Sequence, residues 1–140
     1  MSLTLAIIKP DAVAARKAGL ILAKLEEEDF RIRAARFLRL DNAQAGEFYA
    51  VHRERPFYEA LKRFMTSGPV LVFALERDEA VSYLRTVIGS TDPAEADPGT
   101  IRALYAENKE RNAIHASDSD ENAGQELAFF FSSRELIGAG

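Results

Sequence analysis

Two histidines occur in this chain, His52 and His115. The second sits in a string whose residue types could do chemistry: Asn112-Ala113-Ile114-His115-Ala116-Ser117-Asp118-Ser119. Ala113 and Ile114 suit the end of a buried strand. Ser117, Asp118 and Ser119 suit a helix cap, because their oxygens accept from free backbone N–H groups. A histidine at such a strand-to-helix junction is carried by rigid backbone and faces the positive end of the helix, where a dianionic phosphate is favoured. Imidazole has an unperturbed pKa of ~6.5, so half or more of it is unprotonated at neutral pH and competent as a nucleophile. Taken alone, His115 also reads as an ordinary polar residue at a strand end. Other residues carry the same double reading. Lys9 is either a solvated strand terminus or a charge pointing into a site where the sheet ends. Phe57 alone fits a core, Arg85 and Arg102 alone fit a surface, and Thr91 alone fits a turn or cap.

The elements that must position these groups follow from periodicity. Residues 3–8 form a short apolar run, a buried strand that stops at Pro10. Ile21, Leu22 and Leu25 recur at helical spacing in 18–28, with an acidic outer face of Glu26, Glu27 and Glu28. Residues 30–40 alternate as a strand with one wet face. Asp41-Asn42 can cap a helix over 43–51, and a second helix opens at Pro56 and buries Phe57 or Tyr58, Leu61, Phe64 and Met65. Residues 70–75 are apolar on both faces, which marks a central strand. Asp78 can cap a helix that Gly89 closes. A loop over 90–111 is of a length that is uncommon in compact domains and is usually either functional or disordered. Ile114-His115 makes a short fourth strand, and a last helix spans 120–130. The tail at 138–140 adds nothing.

This order, β-α-β, a helical pair, then β-α-β, is a ferredoxin-like split βαβ. It implies a four-stranded antiparallel sheet with helices covering one face, a helical hairpin insertion and a long loop before the last strand. With 140 residues, one domain spanning 1–140 is the simplest reading. No Gly-x-Gly-x-x-Gly follows a strand and no Walker-type Gly-Lys-Ser/Thr occurs, so phosphate must be bound in another way.

Composition narrows the classes. There are no cysteines, hence no disulfides or thiolate metal sites, and two histidines make a histidine-rich zinc site a poor fit. A net charge of -4 speaks against generic nucleic-acid binding. No run is long enough to cross a bilayer, and Met1-Ser2-Leu3-Thr4-Leu5 lacks the basic flank of a signal peptide. A cytoplasmic protein is expected.

The string Asn-x-x-His-x-Ser-Asp-Ser resembles the active-site signature of the nucleoside diphosphate kinase family. Three further clusters are similar to that family in the right order. They are Ile7-Ile8-Lys9-Pro10-Asp11-Ala12-Val13, then Phe48-Tyr49 through Arg55-Pro56-Phe57-Tyr58 to Phe64-Met65-Thr66-Ser67-Gly68-Pro69, then Arg85, Gly89, Thr91 and Asp97-Pro98-Gly99-Thr100-Ile101-Arg102. The resemblance implies a ping-pong transfer of the γ-phosphate of a nucleoside triphosphate, typically ATP, to a nucleoside diphosphate through phosphohistidine at His115. It implies Glu126 and Ser117 beside the imidazole, Tyr49 near the reacting phosphate, and Phe57 on the base with Leu61 beside it. Arg85, Thr91 and Arg102 would meet phosphate, Lys9 both the ribose and the phosphates, and Asn112 the ribose. Stacking on Phe57 scarcely distinguishes bases, so broad specificity follows. Mg2+ would be held chiefly by the nucleotide phosphates rather than by a protein cage. A homo-oligomer built from dimers, a tetramer or hexamer, is also implied, with no nucleic acid or membrane partner.

The chain departs from the family pattern at three positions: Ala116 for glycine, Asp92 for asparagine, and Ala103-Leu104 where an aspartate is common. Ala116 is strained only if its φ is positive. Two rival classes share the fold: a catalytically silent nucleotide binder, and an RNA-binding sheet. Intact Lys9, His115 and Glu126 speak against the first. The missing aromatic strand motif and the acidic balance speak against the second.

Overall fold

Strand β1 (Ser2–Ile8) ends before Pro10, which has no N–H to give to a ladder. In the computed structural model, which describes residues 1–137, Pro10 does more than stop the strand. Its fixed φ starts a short helix, α1 (Pro10–Ala14), unforeseen in the sequence. The tail at 138–140 lies outside the described residues. Helix α2 (Ala18–Glu27) buries Ile21 and Leu25. Strand β2 (Arg31–Leu38) follows, its register shifted between Ile32 and Ala34 so that Arg33 forms a bulge.

Asp41 caps α3 (Asn42–Phe48) through a capping box with Gln44. A turn of 3-10 helix (Ala50–His52) leads to α4 (Tyr58–Met65), so Pro56 lies in the turn before the helix and not inside it. Next come β3 (Val70–Arg77) and α5 (Ala80–Ile88). Asp78 does not cap α5, contrary to expectation. The helix is entered through Glu79 in the left-handed region, φ 51°, and the Ser2 hydroxyl accepts from Ala80 N at 3.0 Å. Asp78 instead faces the terminal amine at 3.7 Å. The long loop holds one short helix, α6 (Ile101–Tyr105), capped by Thr100. It delivers β4 (Ile114–Ala116), then α7 (Asp120–Phe130) and α8 (Ser133–Ile137), the last also unforeseen.

The sheet order is β2-β3-β1-β4, every pair antiparallel. Helices cover both faces, which corrects the expectation of one. Alternate residues of β1 divide between two cores: Ala6 and Ile8 pack with α2, α5 and α6, whereas Leu5 and Ile7 pack with α3, α4 and α7. Phe73 and Leu75 of β3 join the first core, Val70, Val72 and Ala74 the second. The helical hairpin is thus a second layer, and the two-sided apolarity of 70–75 has its cause there.

Gly89 ends α5 at φ 87°, and a Cβ built on it would lie 2.5 Å from Thr100 Oγ1. Both strain and clash oppose any side chain here. Gly89→Ala is expected to cost about 2–3 kcal/mol, read as a lowered midpoint in urea with an unchanged slope.

Candidate active site

Residue 115 of β4 pairs with Ile7, a residue of the second core, while Ile114 and Ala116 pair with Ile8 and Ala6 of the first. Strand alternation therefore sends the imidazole toward α3 and α7. There His115 Nε2 lies 2.7 Å from Glu126 Oε1, and the buried Ser117 hydroxyl donates to the same oxygen at 2.9 Å. An ionised carboxylate only accepts, so facing one Nε2 is the donor, and in the neutral ring Nδ1 then carries the lone pair. Which nitrogen Glu126 takes was not legible in the sequence. The Tyr49 ring stands 6.2 Å from the imidazole, nearly perpendicular. Its hydroxyl is buried without a partner among the described residues, and burial, with Glu126 adding, pushes its pKa up.

The backbone before His115 is under tension. Ala113 has φ 75°, and Ile114 N donates to Asn112 O at 2.9 Å, a γ-turn of the rare strained kind. Three bonds hold it. Lys9 N donates to Ala113 O at 2.8 Å, Ala113 N donates to Asp11 Oδ2 at 3.1 Å, and Lys9 Nζ donates to Asn112 Oδ1 at 2.8 Å. Asp11 is buried and belongs to α1. Sequence reading gave it no role of its own; a carboxylate directly after a strand-ending Lys-Pro was the only signal. Asn112 also donates through Nδ2 to the Thr91 carbonyl at 3.3 Å, tying the long loop to the same point.

The arginines arrive from the other core. Lys9 and Ser117 donate their N–H groups to Ala113 O and Leu5 O across β1 and β4. The carbonyls of Ile114 and Ala116 consequently face outward from the sheet edge. Arg102 covers the first, donating to Ile114 O at 2.7 Å and to Gly89 O at 3.2 Å, and Arg85 donates to Ala116 O at 3.3 Å. These bonds blunt the edge and set two guanidinium groups beside the strand that carries His115. Burial, then the Arg85 charge, lowers Arg102 to about 10, and its Nε is buried without a partner among the described residues. Burial, then Arg102, lowers the Lys9 ammonium to about 8, with Asp11 opposing. Several cations gathered with little to neutralise them favour an anion.

Phe57 stands at the start of α4, 49% exposed, with its ring 5.2 Å from His52. The His52 ring stacks 6.4 Å from Tyr49. A file of rings thus links Phe57 to the imidazole. Leu61 sits partly buried on α4 against the second core. Thr91 is exposed on the loop and contributes only its carbonyl to the contacts described.

The departures cost little. Ala116 lies in β4 and is not in the left-handed region, so its methyl is unstrained. Asp92 Oδ1 accepts from Ala94 N at 3.0 Å, closing a local turn. Leu104 is 53% exposed on α6. Among the described residues no group of three or more His, Cys, Asp or Glu side chains is arranged to hold a metal ion.

The fold and this arrangement define a ferredoxin-like domain with a free imidazole nitrogen, a carboxylate behind it and cations at the strand edge. Residues 2–136 match the family model described as nucleoside diphosphate kinase. The chain belongs to that family. It is 52% identical over 137 residues to the nucleoside diphosphate kinase of Chlorobium limicola, covering 98% of each chain. The Nitratiruptor sp. enzyme is similar at 52%, covering 98% of this chain and all of that one. Among solved structures, the Aquifex aeolicus nucleoside diphosphate kinase superposes with a TM-score of 0.95 at 46% identity, covering 97% of this chain and 99% of that one. The Halobacterium salinarum enzyme, solved in complex with CDP, gives 0.92 at 36% identity and covers 97% and 91%.

Proposed function

We propose that this protein moves the γ-phosphate of a nucleoside triphosphate to a nucleoside diphosphate through His115. The observation that carries the reading is the pair His115 Nε2–Glu126 Oε1 at 2.7 Å, which leaves Nδ1 as the only free ring nitrogen. In the first half, the Nδ1 lone pair attacks the γ-phosphorus. The bond to the bridging oxygen breaks, and its electrons leave on the departing diphosphate. The Nε2 proton stays in place, and Glu126 balances the positive charge that the phosphorylated ring acquires. In the second half, a β-phosphate oxygen of the incoming diphosphate attacks, the P–N bond breaks, and the pair returns to Nδ1. Dividing the transfer this way spares the site from holding two polyanions at once.

Arg85, Arg102 and Lys9 supply the charge that phosphoryl transfer needs, and Thr91 a neutral hydroxyl. Tyr49 offers its unpartnered hydroxyl near the imidazole. Asn112, fixed between Lys9 and Thr91, is placed to meet the ribose. Phe57, half exposed, offers a face to the base, with Leu61 on the same helix. CDP in the Halobacterium salinarum structure supports a pyrimidine nucleotide among the ligands. Magnesium would be held by the nucleotide rather than by a protein cage, and would supply charge neutralisation beside Arg85, Arg102 and Lys9.

One domain spanning the chain accounts for the whole site. A homo-oligomer built from dimers fits the edge strand β2, whose Phe37 is 64% exposed and which pairs, among the described residues, with β3 alone. No helix among the described residues is long and apolar enough to cross a membrane. The nucleotide pool that such an enzyme serves argues for the cytoplasm.

The test is the intact mass of the purified protein after Mg-ATP without acceptor. A gain of one phosphoryl group, lost in acid and discharged by ADP or GDP, is expected. Nucleotide bound without a gain in mass would overturn the transfer and leave a silent binder.

Lys9 adds a pH dependence. Its folded pKa is lowered from 10.5 to about 8, so below about pH 8 the protein holds a buried charge at full cost. From about 8 to 10.5 the unfolded chain binds the extra proton, and stability rises with pH. Lys9→Met is therefore expected to be more stable than the parent at about pH 7, by about 1–3 kcal/mol. The difference shrinks through that window, as melts at several pH values would show. Nucleotide affinity of the variant should fall, because phosphate loses a point charge.

A further inference from the structure

Phe48, the last residue of α3, touches the nucleophile, although sequence reading gave it no role. Its ring lies 5.4 Å from the imidazole, with the two planes at 70°. The same ring meets Tyr49 at 4.9 Å, Phe130 at 5.2 Å and Phe129 at 5.4 Å. Phe129 and Phe130 belong to α7, the helix that brings Glu126 to Nε2. One side chain therefore contacts both the imidazole and the helix that carries its carboxylate partner.

The hydrogen bond to Glu126 fixes the imidazole at a single atom. A ring held at one nitrogen can still swing about that contact, and a half-turn about Cβ–Cγ exchanges its nitrogen and carbon edges. Either motion needs room beside the ring. Phe48 and Tyr49 fill that room, each standing steeply to the imidazole plane. Phe48 cannot readily yield, because three other rings surround it. It also brings no donor or acceptor that could compete for Nδ1 or for Glu126.

We propose that Phe48 is a positioning residue for phosphoryl transfer. Locked between α3 and α7, its ring sets the plane of His115 so that Nδ1 alone is presented to phosphate, and it shields the Nε2–Glu126 pair. The consequence for rate rests on the phosphohistidine reading above; the effect on the imidazole does not.

The test compares the parent with Phe48→Leu, which keeps an apolar side chain without a ring, and Phe48→Tyr, which keeps the ring. Nitrogen-resolved NMR of His115 is recorded without nucleotide, together with single-turnover phosphorylation by Mg-ATP and ADP affinity. In Phe48→Leu the single Nε2–H tautomer gives way to a mixture, and part of the phosphate is found on Nε2. Phosphorylation slows about tenfold while ADP affinity stays within about twofold, and Phe48→Tyr restores parental behaviour. A Phe48→Leu protein with the parental tautomer and rate would overturn the proposal. So would a parallel loss of rate, ADP affinity and melting temperature in both variants, which is the mark of packing alone. If the parent itself takes up no phosphate, the functional reading fails separately. The nucleotide-free spectra then still decide, a retained single tautomer in Phe48→Leu counting against Phe48 and a mixture for it.

Discussion

With His115 replaced by alanine, the protein takes up no phosphoryl group from Mg-ATP, and turnover falls about 10⁵–10⁶-fold, the scale seen when a nucleophile is deleted. The second histidine offers no substitute. His52 is the other histidine, and its ring packs between Phe57 and Tyr49 on the hairpin, away from the strand edge where Arg85 and Arg102 gather. Nucleotide affinity should survive, because the cations and Phe57 are untouched. Folding should survive too. Glu126 keeps the Ser117 hydroxyl, and at 20% exposure it can recruit water, so the loss is about 1 kcal/mol. Intact mass and a coupled assay check the first part, and a thermal melt the second. Phosphate uptake at the parental level in the variant would remove His115 from the mechanism.

Arg102→Ala should instead damage chemistry and fold together. Its guanidinium satisfies the outward carbonyl of Ile114 at 2.7 Å and the carbonyl of Gly89 at 3.2 Å from a buried position. Removing it leaves two acceptors unserved and a void behind them, a cost of about 2–4 kcal/mol. Under the proposed transfer the same change also deletes a charge that phosphate would meet, worth about 10²–10³-fold in turnover. It also removes one cause of the depressed Lys9 pKa, so Lys9 should titrate higher in the variant. Arg102→Lys separates the two effects. It restores charge but not the fork, and should recover some turnover while leaving most of the stability loss. Denaturation in urea and steady-state rates on the three proteins read this out. Turnover unchanged in Arg102→Ala would show that this arginine serves the fold alone.

Much of this was legible in the residues. Element order, the central place of β3 and the position of His115 follow from apolar periodicity, and the family follows from four short strings in order. The misses share a cause. Periodicity reports which positions want burial, not what covers them. Hence the hairpin reads as an insertion in the sequence, although residues 70–75 already require a covering on both faces. The cap of α5 was sought next to it in the chain, where Asp78 stands, but the donor's partner is Ser2 on a neighbouring strand. Asp11 and Phe48 act on residues 102 and 67 positions further on, contacts that exist only once β1, β4 and α7 have assembled.

The strand bearing His115 is three residues long and, among the described residues, lies against a single neighbour, with Ile7 opposite His115. A strand so short records distance along the chain more than it resists sliding. Adding or removing one residue between Asn112 and His115 would turn the imidazole into the opposite core and bring an apolar side chain to the side that holds Glu126. The stretch between Gly89 and Thr100 has no such constraint of parity. Length variation among natural or engineered descendants of this sequence should therefore collect in that upstream loop and stop short of Asn112. A library of single-residue insertions across 90–116 would draw that boundary directly, as the point where soluble protein is still made but turnover is gone.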